Sequence, residues 1–123
     1  MTTTTQVVLS KNLATPDETR SFPNGKLELV KVGDLTFGKF TLEPGWRWSL
    51  SVKPIAKTDL CMVSHHGYVV TGRMGVRMAD GTETEAGPGD VFTIPPGHDA
   101  WIVGDEQCIL YDFSGAHDYA RPR

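Results

Sequence analysis

Gly89-Asp90-Val91-Phe92-Thr93-Ile94-Pro95-Pro96-Gly97 is the stretch that decides the fold. Glycine accepts backbone angles that a side chain forbids, and aspartate bonds to nearby main chain, so Gly89-Asp90 permits a tight turn. Val91 to Ile94 is a short run of β-branched and aromatic residues, which suits a pleated, half-buried strand. Pro95-Pro96-Gly97 then forces a corner, because proline cannot donate to a ladder and glycine takes positive-φ turn positions. Turn, strand and corner in immediate succession describe the wall of a small β-barrel or sandwich.

The same pattern extends outward in both directions. Asp80-Gly81, flanked by extended runs, is the clearest hairpin signal in the chain. In the run Tyr68 to Met78, Met74, Val76 and Met78 share one side and Gly75 and Arg77 the other. Lys26 to Val32 places Leu27 and Leu29 on one side and Glu28, Val30 and Val32 on the other. Gly33-Asp34 turns the chain into Leu35 to Leu42, and Glu43-Pro44-Gly45 turns it again. Trp46 to Lys53 reads as another extended run that Pro54 ends, followed by Leu60 to Ser64. Ala100 to Val103 and Gln107 to Phe113 complete the set. About eight to ten short strands with turns every 8–12 residues predict an all-β barrel or sandwich. Near the start, Thr15-Pro16-Asp17-Glu18 reads as a short helical turn, with Thr15 as N-cap and Glu18 closing a capping box, stopped by Phe22-Pro23-Asn24-Gly25.

At 123 residues the chain suits one domain, taken as residues 15–123 behind a partly flexible extension, residues 1–14. The 13 glycines and 8 prolines favour many turns over a helical bundle. A net charge of −3 with scattered lysines and arginines argues against a nucleic-acid partner. No stretch approaches the roughly 18 apolar residues of a membrane span. The opening Met1-Thr2-Thr3-Thr4-Thr5-Gln6 has neither a basic nor an apolar export region. Cys61 and Cys108 cannot make a disulfide framework alone, so reduced thiols and a cytoplasmic protein are expected.

The frame of glycine, five residues and then Pro-x-Gly in Gly89 to Gly97 resembles the second sequence motif of the cupins. Tyr68-Val69-Val70-Thr71-Gly72 resembles the end of their first motif, and Asp80-Gly81 sits where cupins turn between the two. The resemblance runs from about Leu35 to Phe113. It implies a double-stranded β-helix, or jelly-roll barrel, of the small RmlC-like kind, with a homodimer formed through the sheets. It also implies a divalent metal inside the barrel, held by His-x-His and a glutamate from the first motif and a histidine from the second. Here the glutamate position falls on His65. Counting back from Gly72 puts the His-x-His positions at Asp59 and Cys61; counting forward from Gly45 puts them at Ser51 and Lys53, because Lys53 to Asp59 looks like an insertion. The second-motif position holds Ala100, with His98 two residues earlier. The family's usual ligands are therefore absent.

The residues themselves offer a substitute set of Cys61, His65 and His98. Cys61 and His65 lie four apart, and His98 keeps the strand parity of Ala100. Thiolate and imidazole donors suit zinc, iron or copper, and three ligands leave a position open for water or substrate. His66 would face away from His65, and Asp99 could orient a ligand from behind. The alternative is that Cys61 is a small buried apolar residue and the histidines are ordinary hydrogen-bonded side chains.

Trp46 and Trp48, two apart on the expected strand, either line a pocket with an indole N–H free for a ligand or fill the core. Lys53 is a candidate interior cation for an anionic substrate, against the commoner outcome of an exposed lysine. Tyr68, Trp101 and Tyr111 are candidate substrate contacts or plain wall residues. His117 lies in the polar tail Gly115 to Arg123 and is not assigned a role. No Ser-His-Asp order, phosphate-binding glycine loop or Cys-x-x-Cys pair is present. Two functions follow: a metal-binding cupin acting on or sensing a small molecule, or a metal-free barrel that carries or senses a ligand.

Overall fold

The computed structural model describes residues 6–121. Residues 1–5 of the expected N-terminal extension, with the export-signal reading placed on them, lie outside the described residues. Among the described residues, nine strands run in order as β1 Glu18–Phe22, β2 Gly25–Val32, β3 Leu35–Leu42, β4 His65–Thr71, β5 Met74–Met78, β6 Glu83–Ala86, β7 Val91–Ile94, β8 His98–Ile102 and β9 Cys108–Asp112. Two short helices, α1 Trp48–Ser51 and α2 Lys53–Ala56, interrupt them after β3. A six-stranded sheet has the order β1-β2-β3-β9-β4-β7, and a three-stranded sheet the order β6-β5-β8. Every strand pair is antiparallel.

Strand alternation, read from the sequence for β2 and β5, sets the inner face. Leu27 and Leu29 on β2, Phe40 and Leu42 on β3, Val69 on β4 and Leu110 on β9 are buried from the six-stranded sheet. Met74 and Val76 on β5 and Ala100 and Ile102 on β8 oppose them from the smaller sheet. The deciding stretch folds as expected. Gly89 and Gly97 both have positive φ, 89° and 92°, and β7 occupies the residues between the two turns. The Asp90 carboxylate accepts the Gly87 N–H at 2.7 Å and so fixes the turn that feeds β7. Asp80-Gly81 joins β5 to β6 as the hairpin signal requires.

Two local readings are corrected. The helical turn expected at Thr15 to Glu18 is absent, and Glu18 instead begins β1, which pairs with β2 through Glu18 opposite Leu29. The Asp17 carboxylate, placed inside a helix by the capping pattern, accepts the Lys31 N–H at 2.7 Å and ties the start of β1 to β2. Sheet pairing outweighed a local helix signal of one turn. Likewise, Trp46 to Lys53 is not a continuous strand. Arg47 is extended and bridges Trp101, after which α1 begins at Trp48, and Pro54 sits in the first turn of α2 rather than ending a strand. Three residues of alternation cannot separate strand from helix start, and proline is at home in a first helical turn.

No helix among the described residues is long and apolar enough to cross a membrane. Cys61 and Cys108 are both free and buried.

Candidate metal centre

His65 opens β4 and His98 opens β8, so their inward side chains meet at one end of the space between the sheets. Cys61 reaches the same place through an isolated bridge to His98. Its N–H donates to the His98 carbonyl at 2.8 Å, and its carbonyl accepts the Gly97 N–H at 2.7 Å. The glycine of the Pro-Pro-Gly corner thus helps to seat the thiol. One donor atom from each of Cys61, His65 and His98 lies within 4.8 Å of the others, and all three residues are buried.

Both imidazoles are oriented by their far nitrogens. His98 Nδ1 donates to the Pro95 carbonyl at 2.7 Å, and His65 Nδ1 donates to the buried carboxylate of Asp112 at 2.5 Å. Each ring therefore carries its lone pair on Nε2, the tautomer a metal needs. Cys61 Sγ stands 3.9 Å from His65 Nε2. Metal–sulfur and metal–nitrogen bonds of about 2.3 and 2.0 Å would set these atoms about 3.5 Å apart in a tetrahedral site, so this pair already stands close to binding distance. The donor set fits a divalent ion of the zinc, iron or copper kind. Burial pushes the Cys61 thiol up to about 11 and the His98 imidazole down to about 4, so near neutrality the pair is uncharged.

His65 and His98 border a cavity of about 30 Å³ whose walls are otherwise mostly apolar, among them Phe40, Trp46, Trp48, Ile94 and Tyr119. That volume admits one or two water-sized groups. A second cavity of about 20 Å³ lies against Cys61 and shares Trp48 and Tyr119 with the first. Trp46 and Trp48 are thus at the site although they do not share a strand.

The remaining candidates lie elsewhere. Tyr68, Trp101 and Tyr111 occupy outward positions of β4, β8 and β9, because strand alternation turns them away from His65, Ala100 and Asp112. Tyr111 packs on Phe37, and Trp101 lies against Gly75 beneath the Arg47 guanidinium, 4.8 Å from its ring. Lys53 is half exposed on α2, with its ammonium 3.7 Å from Asp59. None of these four borders either cavity. His66 faces outward and pairs with Ser114 Oγ. Asp99 does not stand behind a histidine; it accepts the Ser49 N–H and hydroxyl and pins α1 to β8.

Two residues at the site were not singled out in the sequence. Asp112 takes the orienting role expected of Asp99, and its signal was present: it follows Cys108 and Leu110 at alternate positions, a carboxylate on an inward face. Tyr119 belongs to the polar tail, which returns across the barrel end. Its ring lies 4.7 Å from Phe40 and 5.4 Å from His65, edge to face. Burial, with the Cys61 thiol and the Asp112 carboxylate nearby, raises the phenol well above its usual range.

No protein-family model matches this sequence, and no curated protein matches it either. Solved structures do. A Rhizobium leguminosarum protein of unknown function superposes with a TM-score of 0.64 at 21% identity, covering 96% of this chain and all of the other. The Lactobacillus farciminis oxalate decarboxylase, solved as a formate complex, gives 0.63 at 18% identity over 93% of this chain. The present chain spans only 35% of that enzyme. A Klebsiella pneumoniae protein with a double-stranded β-helix domain gives 0.55 at 18% identity, covering 81% of this chain and 79% of the other. At these identities the likeness concerns architecture alone. Together with the two antiparallel sheets and the Gly89 to Gly97 frame, it gives the chain the fold of a small cupin, a double-stranded β-helix.

Proposed function

We propose that this small cupin holds a divalent metal through Cys61, His65 and His98 and acts on, or senses, a small molecule bound beside it. One observation carries the reading: two buried imidazoles, each with its Nδ1 proton committed to an acceptor, have their donor atoms within 4.8 Å of a buried thiol. A satisfied core histidine has no need of a second histidine and a cysteine at that distance. When bound, the ion would supply Lewis acidity at the position its three protein ligands leave open. Asp112 keeps the His65 proton on Nδ1, Pro95 does the same for His98, and the apolar walls keep bulk water out. Trp46 and Trp48 bound the space left for a ligand, and its size supports a ligand of a few heavy atoms over a sugar or a nucleotide.

Metal analysis of the purified protein tests this. Stoichiometric zinc, iron or copper is expected, lost in Cys61→Ala and in His98→Ala. A folded, metal-free protein whose melting temperature does not move with any of the three ions would overturn it.

The outer face of β4 and β7 supports a homodimer. Tyr68, Val91, Phe92 and Phe113 line an open groove there, and Val91 is 81% exposed on an edge strand. Two buried free thiols support a reducing compartment, in keeping with a cytoplasmic protein.

A further inference from the structure

Among the described residues, the Trp46 indole Nε1 is the one fully buried side-chain polar atom with no hydrogen-bond partner. The residue itself is 3% exposed and borders the same cavity as His65 and His98. A buried donor left without an acceptor costs roughly 1–3 kcal/mol, and a well-packed small barrel rarely tolerates that unless something outside the chain accepts the bond. The two acceptors that orient the histidines are already engaged. The Asp112 carboxylate holds His65 Nδ1 and the Ser114 N–H, and the Pro95 carbonyl holds His98 Nδ1.

The centre itself does not call for an anion: a divalent ion with one thiolate and two neutral imidazoles keeps one positive charge, and the Asp112 carboxylate behind His65 balances it. What the unpaired N–H calls for is a ligand with an acceptor atom. The volume of about 30 Å³ limits it to a few heavy atoms.

We infer that Trp46 is the specificity-determining donor of the site: its indole N–H hydrogen-bonds an acceptor atom of a small ligand seated in the cavity on the metal's open position. This rests on the metal reading above. It adds to it the class of ligand, a compact molecule or ion with an acceptor atom distal to the metal, and the residue that selects it. A ligand without a lone pair in that place leaves the indole unpaired and is disfavoured.

The test uses protein loaded with cobalt(II), whose visible and thiolate charge-transfer bands report both the ligand set and the open position, and azide as the probe anion. Azide is expected to shift the cobalt bands of the wild type saturably. Trp46→Phe is expected to take up cobalt with the same thiolate band but to bind azide at least tenfold more weakly. In wild-type protein, the Trp46 indole ¹H–¹⁵N resonance is expected to move on azide addition only when cobalt's diamagnetic substitute, zinc, is present. That measurement stands even if Trp46→Phe fails to fold. Cobalt uptake with equal azide affinity in both proteins, or an indole resonance that zinc and azide together leave in place, overturns the role of Trp46 while the metal site stands. Failure of the wild type to bind cobalt at all overturns both.

Discussion

Arg20 Nη1 donates to the main-chain carbonyl of Tyr119 at 2.7 Å, across a separation of 99 residues. The same nitrogen reaches the carbonyls of Ala116 and His117, while Glu18 holds the guanidinium from the other side. This one side chain on β1 fixes the returning tail and, through it, the Tyr119 ring over His65. Charge-assisted hydrogen bonds of this kind contribute about 1.5–3 kcal/mol. Arg20→Ala should therefore destabilise the protein by about 2 kcal/mol in urea unfolding and speed amide exchange in residues 115–121. It should also expose Cys61 to a thiol reagent several-fold faster. Labelling of Cys61 at the wild-type rate would show that the tail is not its cover.

Asp112 acts on the site only through His65. Asp112→Asn preserves shape but replaces a carboxylate acceptor by an amide that can also donate, weakening its hold on the His65 tautomer. Loss of such a partner costs about 10- to 100-fold in metal affinity. Competition against a chromogenic chelator should show that loss in a protein that still melts cooperatively. Equal affinity in Asp112→Asn would remove Asp112 from the site.

The thiol and imidazole at the site set two pH dependences with opposite origins. Cys61, held up to about 11, must release a proton to bind a metal, whereas His98, down at about 4, is already neutral above pH 5. Together they make metal affinity rise about tenfold per pH unit between pH 6 and 9. Cys61→Ser should flatten that slope.

For the metal-free protein the His98 sign is the reverse of a salt-bridged histidine. An unfolded chain takes up the proton near 6.5, but the fold accepts it only near 4. This contribution to stability is full above 6.5, is lost as the pH falls through that window, and changes no further below 4. Urea midpoints at pH 7, 5 and 4 should fall for the wild type and fall less for His98→Gln.

Val91 on the edge strand β7 is 81% exposed, more than Tyr68 or Phe113 in the outer apolar groove. Val91→Lys should convert a dimer to a monomer in analytical ultracentrifugation without loss of bound metal, since its side chain points away from His65. A wild type that sediments as a monomer at high concentration rules out the pairing.

How far the sequence could be read follows from the range of the forces involved. The Gly89 to Gly97 frame was legible because both corners are local: positive φ at two glycines and a missing donor at two prolines depend on no distant residue. The faces of β2 and β5 were legible from alternation, and Cys108, Leu110 and Asp112 on β9 carry the same signal, which went unused. Cys61 and His98 could be grouped by residue type and parity, though the main-chain bridge that joins them could not be foreseen. Tyr119 was illegible for a clear reason. Its burial depends on Arg20, and nothing in the polar stretch from Gly115 onward marks a segment that docks. Tyr68, Trp101 and Tyr111 could not be assigned a face from the sequence, because aromatic residues suit either face of a half-buried sheet, and only the register decides which.

The backbone bridge between Cys61 and His98 has a consequence for how an ion would come and go. In zinc fingers the ligands converge only when the metal arrives, and chelators unfold them. Here the β8 register and the Pro-Pro-Gly corner bring thiol and imidazole together during folding itself. Stripping the ion should leave a barrel of unchanged architecture, so loading and release become exchange reactions on a standing scaffold, limited by passage beneath the tail.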